Sequence, residues 1–276
     1  MYAPVLKKTL LYSLLLIALT LLLFPFGVML STALKSLREV YAPNPHWIPE
    51  ILQFRNFVEI FSKIPLVQFF LNSLIIASGT TIFCVALSIP AAYATARLRF
   101  RGRKFLLYLF LTIQMFSPVV IVISLFKIVA GLGLLDSFVS LIVVNTVFTL
   151  AFTIWMMNGY FRTIPLEIEE AAMIDGCSRF QALRKVMLPI AVPGITTVVI
   201  YCFTTAWNEF MFAMTFINSF EKRPITVGLF DFVGRWSVDW HYLMAASILA
   251  TLPVMVLFLF IEKQLVEGLA AGAVKG

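Results

Sequence analysis

The sequence predicts an all-α integral membrane protein, and its composition and the grouping of its apolar residues support this fold class. Hydrophobic residues make up 61% of the 276-residue chain, whereas charged residues make up only 13%. A soluble domain of this size carries roughly 25% charged residues. The apolar residues are grouped in runs of about 20 residues or more, the length that an α-helix needs to cross a bilayer. We therefore expect membrane-spanning helices rather than a soluble core.

Six such runs are present, and we predict a single transmembrane domain, residues 1–276, with six spanning helices. The first run follows Lys7 and Lys8. It is longer than the apolar core of a signal peptide, so we interpret it as an uncleaved first helix. The predicted spans cover residues 9–32, 69–96, 105–130, 138–159, 192–217 and 242–262.

The distribution of basic residues predicts that both termini face the cytoplasm. Lys and Arg are concentrated in the N-terminal tail, in residues 97–104 and in residues 160–190. In this topology the cytoplasmic segments hold 13 of the 21 Lys and Arg residues, and the outer segments, mainly 33–68 and 218–241, hold 8. Basic residues are retained preferentially on the cytoplasmic side of membrane proteins. This asymmetry explains the net charge of +7 without a nucleic-acid partner.

Residues 165–189 form the longest charged segment with a helix-competent pattern, in a chain that is otherwise mostly apolar. Their pattern indicates two short helices separated by a glycine turn. Gly176 can adopt the left-handed conformation that ends many helices. Ser178 and Gln181 have the spacing of a capping box, which predicts the start of a second helix. Pro189 is expected to prevent the continuation of that helix. The topology places this element in the cytoplasm.

The first of these two helices carries side chains suited to an interface with a soluble partner. Ala171 and Ala172 are small enough to let another backbone approach closely. Met173 and Ile174 offer apolar contact, and Glu170 offers a carboxylate that an arginine can bind through two hydrogen bonds. The alternative is a helix that lies on the lipid headgroups, and the residue types alone leave both interpretations open.

The order of these residues resembles the EAA motif of permease subunits in ABC importers. That motif contains Glu-Ala-Ala, three residues, Gly, nine residues, Ile, one residue and Leu-Pro. The longer pattern Glu-Glu-Ala-Ala-x-x-Asp-Gly-x-Ser is similar to the carbohydrate branch of the family. The departures are Val186 at the isoleucine position and Cys177 at a position usually taken by alanine. The matching residues, to which the resemblance assigns a role in ATPase coupling, are Glu170, Ala171, Ala172, Asp175, Gly176, Leu188 and Pro189.

Two other stretches resemble sugar-importer permeases. The run Trp207-Asn208-Glu209-Phe210 is similar to the Trp-Asn-Glu-Phe of these proteins. The last ten residues, 267–276, resemble the Gly-Leu-x-Ala-Gly-Ala-Val-Lys-Gly tail of maltose-type permeases, and we expect this tail to be flexible and cytoplasmic. The resemblance covers most of the chain and implies the fold of a type I ABC importer permease.

The resemblance implies that the chain is the permease subunit of an ATP-driven sugar importer in the cytoplasmic membrane, for a di- or oligosaccharide. It implies alternating access, a homologous second permease, two ATPase subunits that use ATP and Mg, and an extracytoplasmic sugar-binding protein. The chain itself lacks the phosphate-binding Gly-x-x-x-x-Gly-Lys-Ser/Thr loop. We therefore expect no catalytic residue and no bound cofactor. No metal site is predicted, and Cys84, Cys177 and Cys202 are not placed to form a disulfide framework.

Polar residues inside the predicted spans are candidates for the path of the sugar. Polar groups are costly in lipid, so they face protein or water. Hydrogen bonding between helices is the competing explanation, and it suits the threonines. We expect Asn208 and Glu209 to line the path, because a carboxylate within a span needs a strong reason. The candidates are Gln114, Asn145, Tyr201, Thr204, Asn208 and Glu209.

Two alternatives remain at the level of the sequence. An ABC permease for a solute other than a sugar has the same motif. An ion-coupled secondary transporter is expected to have repeated halves and carboxylates near the middle of the bilayer. The acidic candidate, Glu209, lies toward the outer end of its span. The two outer segments, 33–68 and 218–241, suit either interfacial anchoring or contact with a partner.

Overall fold

The computed structural model describes residues 3–44, 46–234 and 236–273, with side-chain surroundings for residues 7–260 apart from 45 and 235. The described residues form helices joined by turns, with an isolated antiparallel bridge between Val233 and Val238. By backbone contacts the chain divides into two compact units. One comprises Met1–Val67 and Gly228–Leu252, and the other comprises Gln68–Val227 and Pro253–Gly276.

The helices differ widely in length, from single turns to more than thirty residues. A π-helical turn, Leu183–Met187, connects the ninth and tenth helices, and 3₁₀ turns cover Phe220–Lys222 and Phe230–Phe232. The helices in chain order are α1 (Ala3–Ala33), α2 (Leu37–Val40), α3 (Asn56–Lys63), α4 (Leu66–Arg97), α5 (Arg103–Ile113), α6 (Pro118–Gly131), α7 (Phe138–Thr163), α8 (Leu166–Ile174), α9 (Arg179–Ala182), α10 (Leu188–Ile190), α11 (Val192–Trp207), α12 (Met211–Phe216), α13 (Ile225–Leu229) and α14 (Trp240–Ala273).

Four helices of the described residues are long and apolar enough to cross a membrane: α1, α4, α7 and the Trp240–Phe260 part of α14. Two bent pairs raise the number of candidate spans to six if each pair forms one span. In the first pair α5 and α6 meet at 95°, and in the second the segment Arg179–Ile190 meets α11 at 79°. The length and composition of the helices thus suit a multi-spanning membrane protein.

The predicted third and fifth spans are interrupted in the structure. Span 105–130 is divided between α5 and α6 because Ser117 adopts an extended conformation and Pro118 starts a new helix. Proline lacks the N–H that a continuous helix requires from it. Span 192–217 is divided because α11 ends at Trp207 and α12 begins only at Met211. The structure thus interrupts both apolar runs, and hydropathy alone does not predict these breaks.

The C-terminal residues also differ from the sequence-based expectation. We expected residues 267–276 to form a flexible tail, whereas the backbone of α14 stays helical through Ala273. Alanine and leucine are strong helix formers, which favours this continuation. Residues 274–276 of the predicted tail lie outside the described residues.

In the larger unit, α4, α7 and α11 form the core. Met157 and Phe161 of α7 are fully buried in a cluster that includes Cys84 of α4 and Cys202 of α11. The approach of α11 to α7 depends on Gly194, because an added Cβ would lie 2.5 Å from the ring of Tyr160. These contacts hold the helices that flank residues 165–189.

At the opposite end of this unit, Asp136 ties the turn after α6 to the segment after α12. Its φ is +57°, a conformation that Asp tolerates better than most residues. Its Oδ1 accepts hydrogen bonds from the backbone N–H of Asn218 at 3.1 Å and of Ser219 at 2.8 Å. Its Oδ2 accepts from the Ser219 hydroxyl, and Lys222 Nζ lies 2.9 Å away. The bonds from the hydroxyl and N–H of Ser219, and then that from Lys222, hold the pKa of Asp136 well below its ordinary value.

In the smaller unit, polar side chains fix α3. The Asn56 amide donates to the carbonyls of Ala33 at 2.8 Å and Lys35 at 2.9 Å. The Tyr242 hydroxyl donates to Glu59 Oε2 at 2.7 Å, and this bond lowers the pKa of Glu59 below its usual value. Hydrogen bonds therefore attach α3 both to the end of α1 and to the first turn of α14.

Candidate functional site

The charged segment 165–189 is built on α8, whose two faces have different surroundings. Glu167 and Glu169 lie in the first turn, where carboxylates interact favourably with the helix dipole. Glu169 and Ala172, three residues apart, are buried against the rest of the unit. Glu170 is exposed, and so is Ile174, whose side chain is 86% accessible. The outer face of α8 therefore presents a carboxylate and an apolar side chain together.

The buried face of α8 is held by an ion pair with α4. Arg97 Nε lies 3.1 Å from Glu169 Oε2, and the two side chains are only 8% and 2% exposed. The Tyr93 hydroxyl, one turn earlier on α4, donates to Glu169 Oε1 at 2.5 Å. The side chains of Arg97, Glu169 and Tyr93 thus form a buried cluster, which we term the α4–α8 clasp.

The clasp also fixes the chain that enters α8. Arg97 Nη2 donates to the carbonyl of Ile164 at 2.7 Å. By contrast, Arg97 Nε and Glu169 Oε2 have no hydrogen-bond partner of their own, so their 3.1 Å approach is an ion pair and not a well-directed hydrogen bond. The guanidinium therefore contacts both the connection from α7 and the first turn of α8.

The predicted glycine turn and capping box are both present. Gly176 has φ +87°, and nothing lies within 4 Å of the position that its Cβ would occupy. A side chain at this position is therefore opposed by backbone strain alone. The N–H of Cys177 donates to the Ala172 carbonyl at 3.0 Å, closing the end of α8. Ser178 and Gln181 exchange the two hydrogen bonds of a capping box at the start of α9.

The effect predicted for Pro189 differs from what the structure shows. Pro189 lies within α10, and the helical path continues to Ile190 before the 79° bend that precedes α11. The preceding π-helical turn explains this tolerance. The N–H of Leu188 donates to the carbonyl of Leu183, five residues earlier. The wider turn adds a residue before the proline and relieves the clash that its ring makes in a regular α-helix.

The residues that the EAA resemblance marks for coupling are not all on the outer surface. We expected Ala172 to offer a small side chain to a partner, but it is buried against the chain's own core. Leu188 is half-buried. The exposed members of the set are Glu170, Ala171, Asp175, Gly176 and Pro189.

The clasp residues were missed by the sequence reasoning. Glu169 is adjacent to the motif residue Glu170, and the sequence gives no pairing between Glu169 and Arg97 because the two lie far apart in the chain. A helical projection was the available signal. It places Glu169 and Ala172 on one face of α8 and Glu170 about 100° away. A buried carboxylate on that inner face requires a cation, and Arg97 ends the neighbouring span.

The sugar-path candidates occupy varied surroundings. Asn145 is buried, and its amide nitrogen has no hydrogen-bond partner. Gln114 lies at the break between α5 and α6 and donates to the Phe148 carbonyl at 2.7 Å. Tyr201 packs its ring against Phe152, with the centroids 4.8 Å apart. Gln114 and Tyr201 thus both contact α7, the helix that carries Asn145.

The polar groups of the remaining candidates form hydrogen bonds with backbone groups of α11 and α12. The Thr204 hydroxyl donates to the Ile200 carbonyl at 2.7 Å, and the Asn208 amide donates to the Thr204 carbonyl at 2.9 Å. Glu209 caps α12: its carboxylate oxygens accept from the N–H of Phe212 at 2.6 Å and of Ala213 at 3.0 Å. Such a cap satisfies donors that have no partner inside the helix. Glu209 therefore has a structural role that competes with the predicted role in the path.

The described residues contain no group of three His, Cys, Asp or Glu side chains that could hold a metal ion. The 165–189 element has polar and apolar side chains on its exposed surface. It combines an exposed carboxylate and apolar side chains with a rigid attachment to α4.

Comparisons with known proteins give a consistent family. Residues 85–269 match the family model described as "Binding-protein-dependent transport system inner membrane component". This range includes the whole 165–189 element and the clasp.

Curated relatives cover nearly the whole chain. The inner membrane ABC transporter permease protein YcjP of Escherichia coli is 39% identical over 92% of this chain and 91% of its own length. The sulfoquinovosyl glycerol transport system permease SmoH of Agrobacterium fabrum is 36% identical over 92% and 89%. The diacetylchitobiose uptake system permease DasC of Streptomyces coelicolor is 34% identical over 92% and 92%.

A solved structure has the same fold. A chain of a bacterial ABC transporter involved in the import of the acidic polysaccharide alginate superposes with a TM-score of 0.80. The alignment covers 95% of this chain and 98% of that chain, at 23% sequence identity. At this identity the likeness supports the fold and does not extend to the substrate.

Proposed function

Because this chain belongs to the family of binding-protein-dependent transport system inner membrane components, we propose that it imports a sugar, as one of two permease subunits, by alternating access. The chain is a multi-pass inner membrane permease of an ABC importer with the type I fold. ATP hydrolysis belongs to a separate subunit, and an ATPase and a substrate-binding protein are the general partners of such permeases. The match over residues 85–269 carries the assignment to an importer, and the relatives named for sugar-containing compounds support a sugar as the substrate.

A di- or oligosaccharide is the proposed substrate class. Two of the relatives are named for sulfoquinovosyl glycerol and diacetylchitobiose, both of which contain sugar units. Asn145 supports a polar substrate, because its buried amide nitrogen is a donor without a partner. An unsatisfied buried donor costs about 1–3 kcal/mol, and a sugar hydroxyl would relieve that cost. Asn208 lies at the end of α11 and is exposed, which suits a role in the path.

The coupling step is assigned to the exposed face of α8. Glu170 and Ile174 point away from the unit, whereas the clasp attaches the inner face to α4. An ATPase that binds the outer face would therefore move α8 together with the end of α4. The proposed assembly contains a second permease, two ATPase subunits that bind ATP and Mg, and an extracytoplasmic binding protein. Both termini and the 165–189 element lie on the cytoplasmic side.

Reconstitution of the complete complex tests this function. We expect sugar uptake into vesicles to require ATP, the ATPase subunits and the loaded binding protein, and to persist when ionophores abolish the ion gradients. A panel of binding proteins loaded with different sugars identifies the substrate by its stimulation of ATP hydrolysis. Uptake by this chain alone, driven by a proton or sodium gradient, would contradict the proposal.

A further inference from the structure

A second feature of the larger unit lies outside the coupling element. A cavity of about 220 Å³ opens between the start of α5 and the last turns of α7. Three cations line it, namely Arg103 and Lys104 on α5 and Arg162 on α7, and no acidic side chain does. Arg103 donates to the Leu98 carbonyl at 3.3 Å. In the described part of the chain, the side chains of Lys104 and Arg162 form no ion pair.

The cavity becomes apolar in the direction of the membrane span. Arg103, Leu107 and Leu111 follow one another at intervals of four residues, so they share one face of α5. Both leucines line the cavity beyond its cationic end. Two aromatic side chains border it: Tyr108 is 68% exposed and Trp155 is 45% exposed. Tyr and Trp are enriched at the boundary between headgroups and hydrocarbon.

The turn before α5 adds further positive charge beside the cavity. Arg99 and Arg101 line an adjoining open depression together with Arg103 and Lys104. Phe105, at the same end of α5, exposes 68% of its surface. In the proposed orientation this turn lies on the cytoplasmic side, where the leaflet carries anionic lipids. Cations at the headgroup level and apolar side chains beneath them match the two parts of a phospholipid.

We propose that this cavity binds an anionic phospholipid. The lipid phosphate contacts Lys104 and Arg162, and an acyl chain lies along Leu107 and Leu111. A free phosphate ion would use the cations and leave the leucines without a role, which is the reason for assigning the site to a lipid. Basic pockets between spanning helices are a recurring form of lipid recognition.

The test titrates the purified transport complex in detergent with phosphatidylglycerol, with phosphatidylcholine and with inorganic phosphate, and counts bound molecules by native mass spectrometry. The site variant is Lys104→Gln/Arg162→Gln, and the matched control is Lys7→Gln/Lys8→Gln, which removes two cations elsewhere. From the usual contribution of each basic residue at an anionic surface, the site variant should bind phosphatidylglycerol about thirtyfold more weakly. The control should bind it as the parent does.

A second variant tests whether the acyl chain contributes to binding in addition to the headgroup. Leu107→Asn keeps the cations and removes apolar contact, so it should also weaken phosphatidylglycerol binding. Inorganic phosphate at the same concentration should not displace the lipid. Three results would overturn the proposal: equal affinity for phosphatidylcholine, displacement by inorganic phosphate, or parent-like lipid binding by both site variants. The last would indicate that the lipid binds elsewhere on the complex.

Discussion

Replacing Glu169 by Gln should uncouple ATP hydrolysis from sugar uptake. The glutamine keeps an acceptor for the Tyr93 hydroxyl but removes the counter-charge of Arg97. The Arg97 guanidinium, whose side chain is 8% exposed, then has the Ile164 carbonyl as its remaining hydrogen-bond partner. We expect the inner face of α8 to lose its fixed attachment to α4, because α8 must move before water can reach the stranded charge.

The size of the effect follows from the burial of the pair. At 3.1 Å and an effective dielectric constant of about 20, the Coulomb attraction is roughly 5 kcal/mol before desolvation is counted. Removal of one member of a buried pair typically costs about 3–5 kcal/mol, because the remaining charge is left without compensation. Such a cost changes the ratio of attached to detached α8 by roughly two to four orders of magnitude.

The assay compares uptake per ATP hydrolysed with the thermal stability of the complex. We term the uptake per ATP hydrolysed the uptake ratio. Glu169→Gln should lower the uptake ratio at least roughly tenfold, because a tenfold change corresponds to about 1.4 kcal/mol and the expected cost is larger. The control is Glu167→Gln, which removes the same charge from the exposed side of the same helix and should leave both quantities unchanged.

The double variant Arg97→Met/Glu169→Gln distinguishes coupling from simple stabilisation. Replacement of a buried ion pair by well-packed apolar groups is often neutral for stability, and the glutamine of this variant keeps an acceptor for the Tyr93 hydroxyl. The double variant should therefore recover thermal stability, while its uptake ratio stays low because no charge joins α8 to α4. If the ratio followed stability in every variant, or if Glu169→Gln behaved like its control, the clasp would be structural and this reasoning would be refuted.

Three further predictions concern other parts of the molecule. Glu170→Ala should reduce co-purification of the ATPase subunit, because truncating one member of a desolvated charge pair costs about 2–5 kcal/mol; parent-like recovery would remove Glu170 from the interface. Gly176→Val should lower the uptake ratio more than Gly176→Asn, because φ is +87° and a β-branched residue tolerates that conformation least; equal ratios would exclude backbone strain as the cause. The pKa of Asp136 is depressed, so its contribution to stability is complete above the ordinary carboxyl pKa of about 4 and is lost only as the pH falls below that value. The amide hydrogens of residues 217–222 should therefore stay protected against exchange from pH 7 down to about pH 4. Asp136→Asn should weaken this protection already at pH 7. Loss of protection in the parent between pH 7 and 5 would show that a group other than Asp136 is responsible.

The sequence was sufficient for the long apolar helices and for the turn and capping box within residues 165–189. Hydrophobic runs mark spans because backbone groups in lipid must be satisfied within a helix. The Gly176 turn and the box between Ser178 and Gln181 were predictable because their causes lie within a few residues. Local chemistry of this kind can be deduced without knowledge of the tertiary structure.

The breaks at residues 114–117 and 208–210 were not predictable from hydropathy. The residues on both sides of each break are apolar, so a hydropathy average passes over it. Ser117-Pro118 is the local indication of the first break, because proline lacks the N–H that a continuous helix requires from it. The second break depends on Glu209, which caps α12 and whose carbonyl accepts from Thr226 at 2.6 Å. That bond comes from a later segment of the chain and has no counterpart in the local sequence.

The different roles proposed for the adjacent Glu169 and Glu170 follow from helical geometry. Successive residues of α8 point about 100° apart, so burial of Glu169 leaves Glu170 free for a partner. The inner side is attached to α4 through Arg97, and the following turns are anchored in the core by the buried side chains of Leu183 and Met187. A partner that pulls on Glu170 must therefore either carry α4 and the start of α11 along or break a buried ion pair. Since the second course costs about 3–5 kcal/mol, the first is favoured, and we expect the proposed coupling element to transmit a pull on α8 to the spanning helices.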